Sequence, residues 1–158
     1  MEPRAWHASL AGVIVAAAAL IRDPAGRVLC VKPNYRDYWT LPGGICERDE
    51  APHLGCAREV AEETGLELAA GRLLTVDWLQ SPPEYGPGAR PTMYFLFDGG
   101  VLGGQPDIVV QEEELDGYQF AAPASLPGLL AQPGLRRVEA GLAVLATQRT
   151  VYLPSQRD

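Results

Sequence analysis

The sequence predicts the α/β fold class, and within it an α/β/α sandwich around a mixed β-sheet. Short apolar runs bounded by turn residues are intermixed with two helical patterns along one small chain. No linker, internal repeat or low-complexity tract divides the 158 residues, and a hydrophobic content of 47% is enough for one core. We therefore expect residues 1–158 to form a single domain.

The predicted elements are five strands and two helices. In chain order they are strands over 11–21 and 27–32, a helix over 51–64, strands over 72–79, 92–97 and 118–121, and a helix over 135–148. Pro52 in the first turn and Gly65 just past the last turn bound the first helix. The stretch 80–91 is rich in Pro and Gly, which predicts an irregular loop.

The charge balance is acidic, with 20 Asp and Glu residues against 13 Lys and Arg residues and a formal net charge of −7. A protein that binds nucleic acid or anionic lipid electrostatically needs a basic face, so we expect neither partner. Eleven of the acidic residues but only two of the basic ones fall within 47–67 and 112–116. An acidic balance is unusual for an enzyme with a phosphate-bearing substrate, unless a metal ion lies between the carboxylates and that substrate.

Cysteine usage and hydropathy indicate a cytoplasmic protein. Cys30, Cys46 and Cys56 form no C-x-x-C pair, and an odd number of thiols cannot all pair within one chain. The apolar run 10–21 is too short to cross a bilayer, which needs about 20 residues, and a turn at 22–26 leads into a second apolar run. We therefore interpret 10–21 as strand, with a signal peptide as the alternative.

The helix predicted over 51–64 carries the most informative residues. At about 100° per residue, Glu59, Glu62 and Glu63 fall on one face, where their mutual repulsion destabilises the helix unless a cation compensates. Arg58 is the only Lys or Arg between residues 49 and 71 and can satisfy one carboxylate, so ion pairing leaves the others uncompensated. Mg²⁺ and Mn²⁺ prefer oxygen ligands, so this face predicts a divalent metal site; the alternative is a solvated acidic face.

The segment from Gly44 to Leu66 resembles the Nudix box, which is written G-x5-E-x7-R-E-U-x-E-E-x-G-U. Gly44, Glu50 and the run 58–66 match it at every specified position, and the run 39–44 is similar to the family's usual entry into the box. The resemblance implies the Nudix fold and a pyrophosphohydrolase that cleaves a nucleoside diphosphate linked to another group X. It also implies Mg²⁺ or Mn²⁺, ions that neutralise phosphate oxygens, position a water and stabilise the leaving phosphate.

The resemblance further implies roles for individual residues. The metal-binding carboxylates of the box correspond to Glu59, Glu62 and Glu63. Glu59 is also the general base in some members, and the backbone carbonyl of Gly43 corresponds to a further metal ligand in others. Arg58 and Glu50 correspond to an ion pair that orients the helix, which gives Arg58 a supporting part in catalysis.

A second acidic run occupies 112–116. In the family, a loop carboxylate six positions before an aromatic strand residue often supplies a metal ligand or the base, and Glu114 stands six before Phe120. Glu113 and then Glu112 are the alternatives, and a run of glutamates is otherwise typical of a solvated loop. The sequence leaves open whether Glu59 or Glu114 is the base.

The substrate class depends on residues outside the box. The candidate substrate contacts are Arg36, Tyr38, Pro82 and Tyr85. Pro82 lies sixteen residues beyond the box, as a Pro does in some ADP-ribose hydrolases, but this loop is Pro-rich in any case. Tyr85, at nineteen residues, is slightly too far to match a Tyr of the dinucleoside-polyphosphate hydrolases. We expect a small nucleotide, nucleotide-sugar or ADP-ribose type substrate.

Two rival hypotheses come from other functional classes. A Nudix-type domain can bind a nucleotide and regulate a partner without hydrolysing it, but such domains usually have a degraded box, whereas this box is intact. A structural acidic domain without any ligand predicts no thermal shift when divalent ions are added. Dimers are frequent in the family, so a homodimer is a further expectation.

Overall fold

The computed structural model describes residues 1–154, which form a mixed sheet with helices on both faces. The elements are α1 (Pro3–Ser9), β1 (Ile14–Arg22), β2 (Val28–Pro33), β3 (Gly43–Ile45), α2 (Pro52–Thr64), β4 (Leu73–Leu79), β5 (Thr92–Val101), β6 (Leu115–Ala121), α3 (Gly134–Val144) and β7 (Val151–Leu153). Within the described residues the strand order is β6-β2-β1-β5-β4-β7, and β3 pairs with β1. The β1/β5 and β4/β7 pairs are parallel and the others antiparallel, so the predicted fold class is confirmed.

Strand β1 lies at the centre of the sheet and separates two apolar layers. Its odd-numbered residues, including Ala17 and Ala19, pack with Cys56 and Val60 of α2. Its even-numbered residues, including Ala18, pack in the other layer, to which α3 contributes. Alternation of side chains across a strand therefore places α2 and α3 on opposite faces of the sheet.

The local signals that predict α2 are present in the structure. Pro52 lies in the first turn, where its missing N–H costs no hydrogen bond. Gly65 follows the last turn with φ of 72°, a left-handed conformation that favours glycine, and its N–H donates to the Ala61 carbonyl. The observed helix differs from the predicted range by one residue.

Other boundaries differ from the sequence predictions for identifiable reasons. Strand β5 continues to Val101, four residues beyond the prediction, because its pairing with β1 continues past a bulge at Leu20/Ile21. Helix α3 ends at Val144 and not near 148, because the Thr147 N–H and hydroxyl both donate to the Val144 carbonyl. Strands β3 and β7 have three residues each, which is too few for a periodic pattern. Neither strand was predicted from the sequence, and α1 was not predicted either.

In the part of the chain that the structure describes, no helix has the length and apolar character needed to span a bilayer. Cys30, Cys46 and Cys56 are all free thiols, and burial raises the pKa of Cys30 and of Cys56 to about 12. The buried pair therefore stays protonated near neutral pH and packs as small apolar side chains.

Candidate active site

One arginine organises the face of α2 that carries the glutamates. Arg58 donates from Nε and Nη2 to the two carboxylate oxygens of Glu50, at 2.9 and 3.0 Å, in a bidentate ion pair. Its Nη1 donates to Glu59 at 2.9 Å and to Glu62 at 3.1 Å, and its Nη2 also donates to the Ile45 carbonyl. The hydrogen bonds from Arg58 hold the pKa of Glu50 below its ordinary value. Arg58 thus fastens α2 to the chain segment that precedes it.

Glu63 is the most buried carboxylate of the cluster, with 9% of its surface exposed. Its Oε2 accepts a hydrogen bond of 2.9 Å from the Gly43 N–H, and it forms no ion pair within residues 1–154. Burial first, and then the negative charges of Glu59, Glu114 and Glu62, raise the pKa of Glu63 to about 8. Burial therefore disfavours the charged form of Glu63, and the neighbouring carboxylates add to that effect.

Gly43 and Gly44 bring the backbone of β3 against these carboxylates. Gly43 has φ of 154°, and a Cβ at this position would lie 2.5 Å from Ala18 Cα. A Cβ on Gly44 would lie 2.5 Å from the carboxylate carbon of Glu59, closer than real Cβ atoms approach. Burial raises the pKa of Glu59 above its ordinary value. The two glycines therefore let β3 pair with β1 while Glu59 packs directly on its backbone.

The second acidic run reaches the same place through backbone hydrogen bonds. The Gln111 N–H donates to the Glu63 carbonyl at 3.1 Å, and the Asn34 N–H donates to the Glu114 carbonyl at 2.9 Å. The charge of Glu114 contributes to the raised pKa of both Glu59 and Glu63. The structure therefore brings together the two acidic segments that lie about 50 residues apart in the sequence.

The donor chemistry of this cluster fits a hard divalent cation. Carboxylate oxygens are the ligands that Mg²⁺ and Mn²⁺ prefer, and Glu63 is buried among them without a cationic partner in the described chain. Arg58 binds an oxygen each of Glu59 and Glu62, and within residues 1–154 no three acidic, His or Cys side chains surround a common metal position. An ion that binds here has to compete with Arg58 for these two carboxylates.

A cavity of about 1180 Å³ lies on the opposite side of the sheet, between the strands and α3. Even-numbered residues of β1 and β5 line it together with the segment 38–41 and the first turns of α3. Ile45 lines the same cavity, although it stands only two residues from Gly43, which contacts Glu63. Strand β3 therefore borders the cavity at one end and the carboxylate cluster at the other.

A buried ion pair lies beside this cavity. Arg137 of α3 donates from Nε and Nη2 to Asp77 Oδ2 of β4, at 3.1 and 2.9 Å. Asp77 is fully buried, and the guanidinium carbon of Arg137 lies 3.6 Å from the centroid of the Tyr94 ring. Arg137 and Tyr94 both line the cavity. The contact between Asp77, Tyr94 and Arg137 was not predicted from the sequence, because the three residues come from three elements and no local motif joins them.

The predicted substrate contacts divide into two pairs. Arg36 and Tyr38 line the cavity. Pro82 is buried ahead of the short 3₁₀ turn Pro83–Tyr85, and Tyr85 is 73% exposed; neither belongs to the described lining of the cavity. Pro83 and Glu84 line it instead.

The fold and site define a class of protein: an α/β/α domain in which a glycine-containing strand and a helix carry a carboxylate cluster beside a large cavity. A sequence model described as NUDIX domain matches residues 13–142. The chain belongs to the NUDIX family, as the Gly44–Leu66 segment predicts.

Three similar proteins place the chain within this family. A MutT-like protein of Streptomyces ambofaciens is 40% identical over 75 residues, which cover 48% of this chain and 44% of that protein. The match therefore spans less than half of that relative. The crystal structure of a MutT protein from Methanosarcina mazei Go1 is 26% identical with a TM-score of 0.67, covering 85% of this chain and 95% of that one. A crystal structure named UDP-X diphosphatase is 27% identical with a TM-score of 0.71, covering 96% of this chain and 70% of that one.

Proposed function

We propose that this protein is a divalent-metal-dependent pyrophosphohydrolase that cleaves a phosphoanhydride bond in a nucleoside diphosphate linked to a group X. The observation that carries the proposal is the convergence of Glu59, Glu62, Glu63 and Glu114, with Arg58 as the cation that two of them share. Four carboxylates cannot bind a diphosphate directly, because both carry negative charge. Divalent ions between them make the site complementary to that substrate.

Glu59, Glu62, Glu63 and Glu114, with the Gly43 carbonyl, are the groups that we assign to Mg²⁺ or Mn²⁺. The bound ions would neutralise the non-bridging phosphate oxygens and stabilise the leaving phosphate. The chain's own contribution is to hold these oxygens in place. Arg58 orients the helix through Glu50, the Gly43 N–H fixes one oxygen of Glu63, and Gly44 leaves room for Glu59.

Glu59 and Glu114 are the two candidates for the general base. Glu59 is partly buried, and burial raises its pKa, which makes its carboxylate a stronger proton acceptor. One of its oxygens, however, accepts a hydrogen bond from Arg58. Glu114 is exposed and stands on a loop that its backbone ties to residue 34, so its carboxylate can reach an incoming water from the solvent side. Both assignments stand as alternatives that substitution can separate.

The cavity beside β3 is where we place the nucleoside portion of the substrate. Its volume suits a ligand of nucleoside size, and Arg36 and Tyr38 are available there for contacts with it. A nucleotide, a nucleotide sugar and ADP-ribose all remain within this class. The three free thiols fit a reducing compartment, which supports the cytoplasm as the site of action.

The test is a phosphate-release screen of nucleoside triphosphates, nucleotide sugars, ADP-ribose, NADH and dinucleoside polyphosphates with Mg²⁺ and with Mn²⁺. We expect metal-dependent hydrolysis that Glu62→Gln and Glu63→Gln each abolish. Glu67→Gln is the matched control, because Glu67 is an exposed glutamate just beyond the same helix. Unchanged activity of Glu62→Gln or Glu63→Gln would contradict the metal assignment. Nucleotide binding without turnover across the whole panel would favour a regulatory domain.

A further inference from the structure

The cavity lining includes a charged group, the Arg137 guanidinium, that Asp77 and Tyr94 hold in place. Asp77 Oδ2 accepts both the Nε and the Nη2 protons of Arg137, and Tyr94 supports the guanidinium plane at 3.6 Å. The Arg137 side chain is 9% exposed, and it lines the cavity. A guanidinium held this way cannot rotate to suit different ligands, so it presents a fixed donor pattern.

Arg137 has one nitrogen that the ion pair does not use. Nε and Nη2 face Asp77, whereas Nη1 forms no hydrogen bond with any residue in 1–154. Because Arg137 is a cavity-lining residue with little other exposure, the cavity is where this free donor can find a partner. A ligand acceptor that reaches Nη1 in the cavity gains a hydrogen bond to a charged donor, which is stronger than one between neutral groups.

The charge around Arg137 decides what kind of acceptor fits. Asp77 is fully buried, and its negative charge offsets that of the guanidinium, so the pair is neutral as a whole. A phosphate or carboxylate near this pair would meet the Asp77 charge as well as the Arg137 charge. A neutral carbonyl oxygen accepts the Nη1 hydrogen bond without that repulsion.

We propose that Arg137 is a specificity-determining residue that selects nucleobases with a keto oxygen, such as hypoxanthine, guanine or uracil, over bases with an amino group there. This inference rests on the proposed function, which places the nucleoside in the cavity. A keto oxygen accepts from Nη1, whereas an exocyclic amino group points its own N–H donors at a group that has no acceptor. The mismatch places an N–H donor of the base against the Nη1 donor with no acceptor between them.

Inosine 5′-monophosphate and adenosine 5′-monophosphate form a matched pair for the test, because the first carries a keto oxygen where the second carries an amino group. Neither has a phosphoanhydride bond, so binding is measured apart from turnover. Calorimetric titration of the wild-type protein in Mg²⁺ should give about tenfold or more tighter binding of the inosine nucleotide. Uridine and cytidine monophosphates provide a second pair with the same difference, and the same direction is expected. Equal affinities within each pair would overturn the proposal.

Two variants test whether the preference for a keto oxygen depends on Arg137 itself. Removing Arg137 alone leaves Asp77 buried and unpaired, so the test uses Arg137→Met combined with Asp77→Leu, an apolar replacement of the whole ion pair. We expect this double variant to keep its thermal midpoint and to bind the two nucleotides of each pair within about twofold of each other. Arg136→Gln is the control, because Arg136 also lines the cavity but has no contact with Asp77. It should retain the wild-type preference.

The other results of these binding measurements also support or overturn the assignment to Arg137. Retention of the preference in the folded double variant, or its loss in Arg136→Gln, would overturn the assignment to Arg137. If the double variant does not fold, Tyr94→Leu removes the supporting ring and leaves the ion pair, and a reduced preference is then expected. Selective binding without hydrolysis of any phosphoanhydride would refute the proposed function and leave the selection by Arg137 intact.

Discussion

Replacement of Gly44 by alanine tests the geometry of the carboxylate cluster most directly. The added Cβ would lie 2.5 Å from the Glu59 carboxylate carbon, whereas ordinary contacts of this kind begin at 3.4 Å. Glu59 therefore has to move by roughly 1 Å, and for a group that acts as proposed for Glu59 such a displacement costs on the order of a hundredfold in rate. We expect Gly44→Ala to lower kcat/KM for the best substrate of the screen by about that factor.

Two further variants make this expectation sharp. Gly128→Ala is the matched control, because a Cβ on Gly128 meets nothing within 4 Å, and it should keep wild-type activity. If Gly44→Ala acts through Glu59, adding it to Glu59→Gln should cause little further loss, since the two changes then remove the same interaction. Wild-type activity of Gly44→Ala, or full additivity in the double variant, would refute the argument that Gly44 serves to accommodate Glu59. Thermal midpoints of all variants distinguish misplacement from unfolding.

The remaining predictions concern stability, the base and the metal. Asp77→Ala leaves Arg137 buried without its partner and should lower the free energy of unfolding by about 3–5 kcal/mol in urea titration; a loss below about 1 kcal/mol would mean that water reaches the pair. Glu114→Gln should reduce kcat far more than Glu113→Gln if Glu114 is a ligand or the base, and equal effects would count against it. Saturating Mn²⁺, at about 100 times its dissociation constant, stabilises by about 2.7 kcal/mol and should raise the thermal midpoint by roughly 5–11 °C. Glu63→Gln should abolish most of this shift, and a protein that shows none would support the purely structural hypothesis.

Whether a site residue can be predicted from the sequence depends on how close along the chain it lies to the residues that position it. Glu59, Glu62 and Glu63 share a helix face because three- and four-residue spacings repeat with the helical turn, and this follows from sequence alone. The position of Glu114 depends on the segment that pairs with the last turn of α2, and only the resemblance to a known family indicated it. Arg58 gave the converse result, because it was expected to satisfy one carboxylate, whereas in the structure it binds Glu50, Glu59 and Glu62.

The strands that were not predicted are short and depend on pairing with residues that are distant in the sequence. Strand β3 has three residues, two of them glycines, so neither periodicity nor β-propensity marks it. Its existence depends on pairing with β1 at Ala16–Ala18, a contact of long range in the sequence. Strand β7 likewise exists through parallel pairing with β4. Short strands of this kind are products of the sheet that recruits them.

Apolar runs, helix-ending signals and motif spacing predict the fold class, the family and the acidic face of α2 from the sequence, because these signals act between residues that are close along the chain. Tertiary structure alone decided that Asp77, Tyr94 and Arg137 meet beside the cavity, and that β3 lies between this cavity and the carboxylates. Those contacts join β4, β5 and α3, which are ordinary elements when taken one at a time. Burial then gives the assembled groups their chemistry, since removing water raises the pKa of Glu63 and fixes the Arg137 guanidinium.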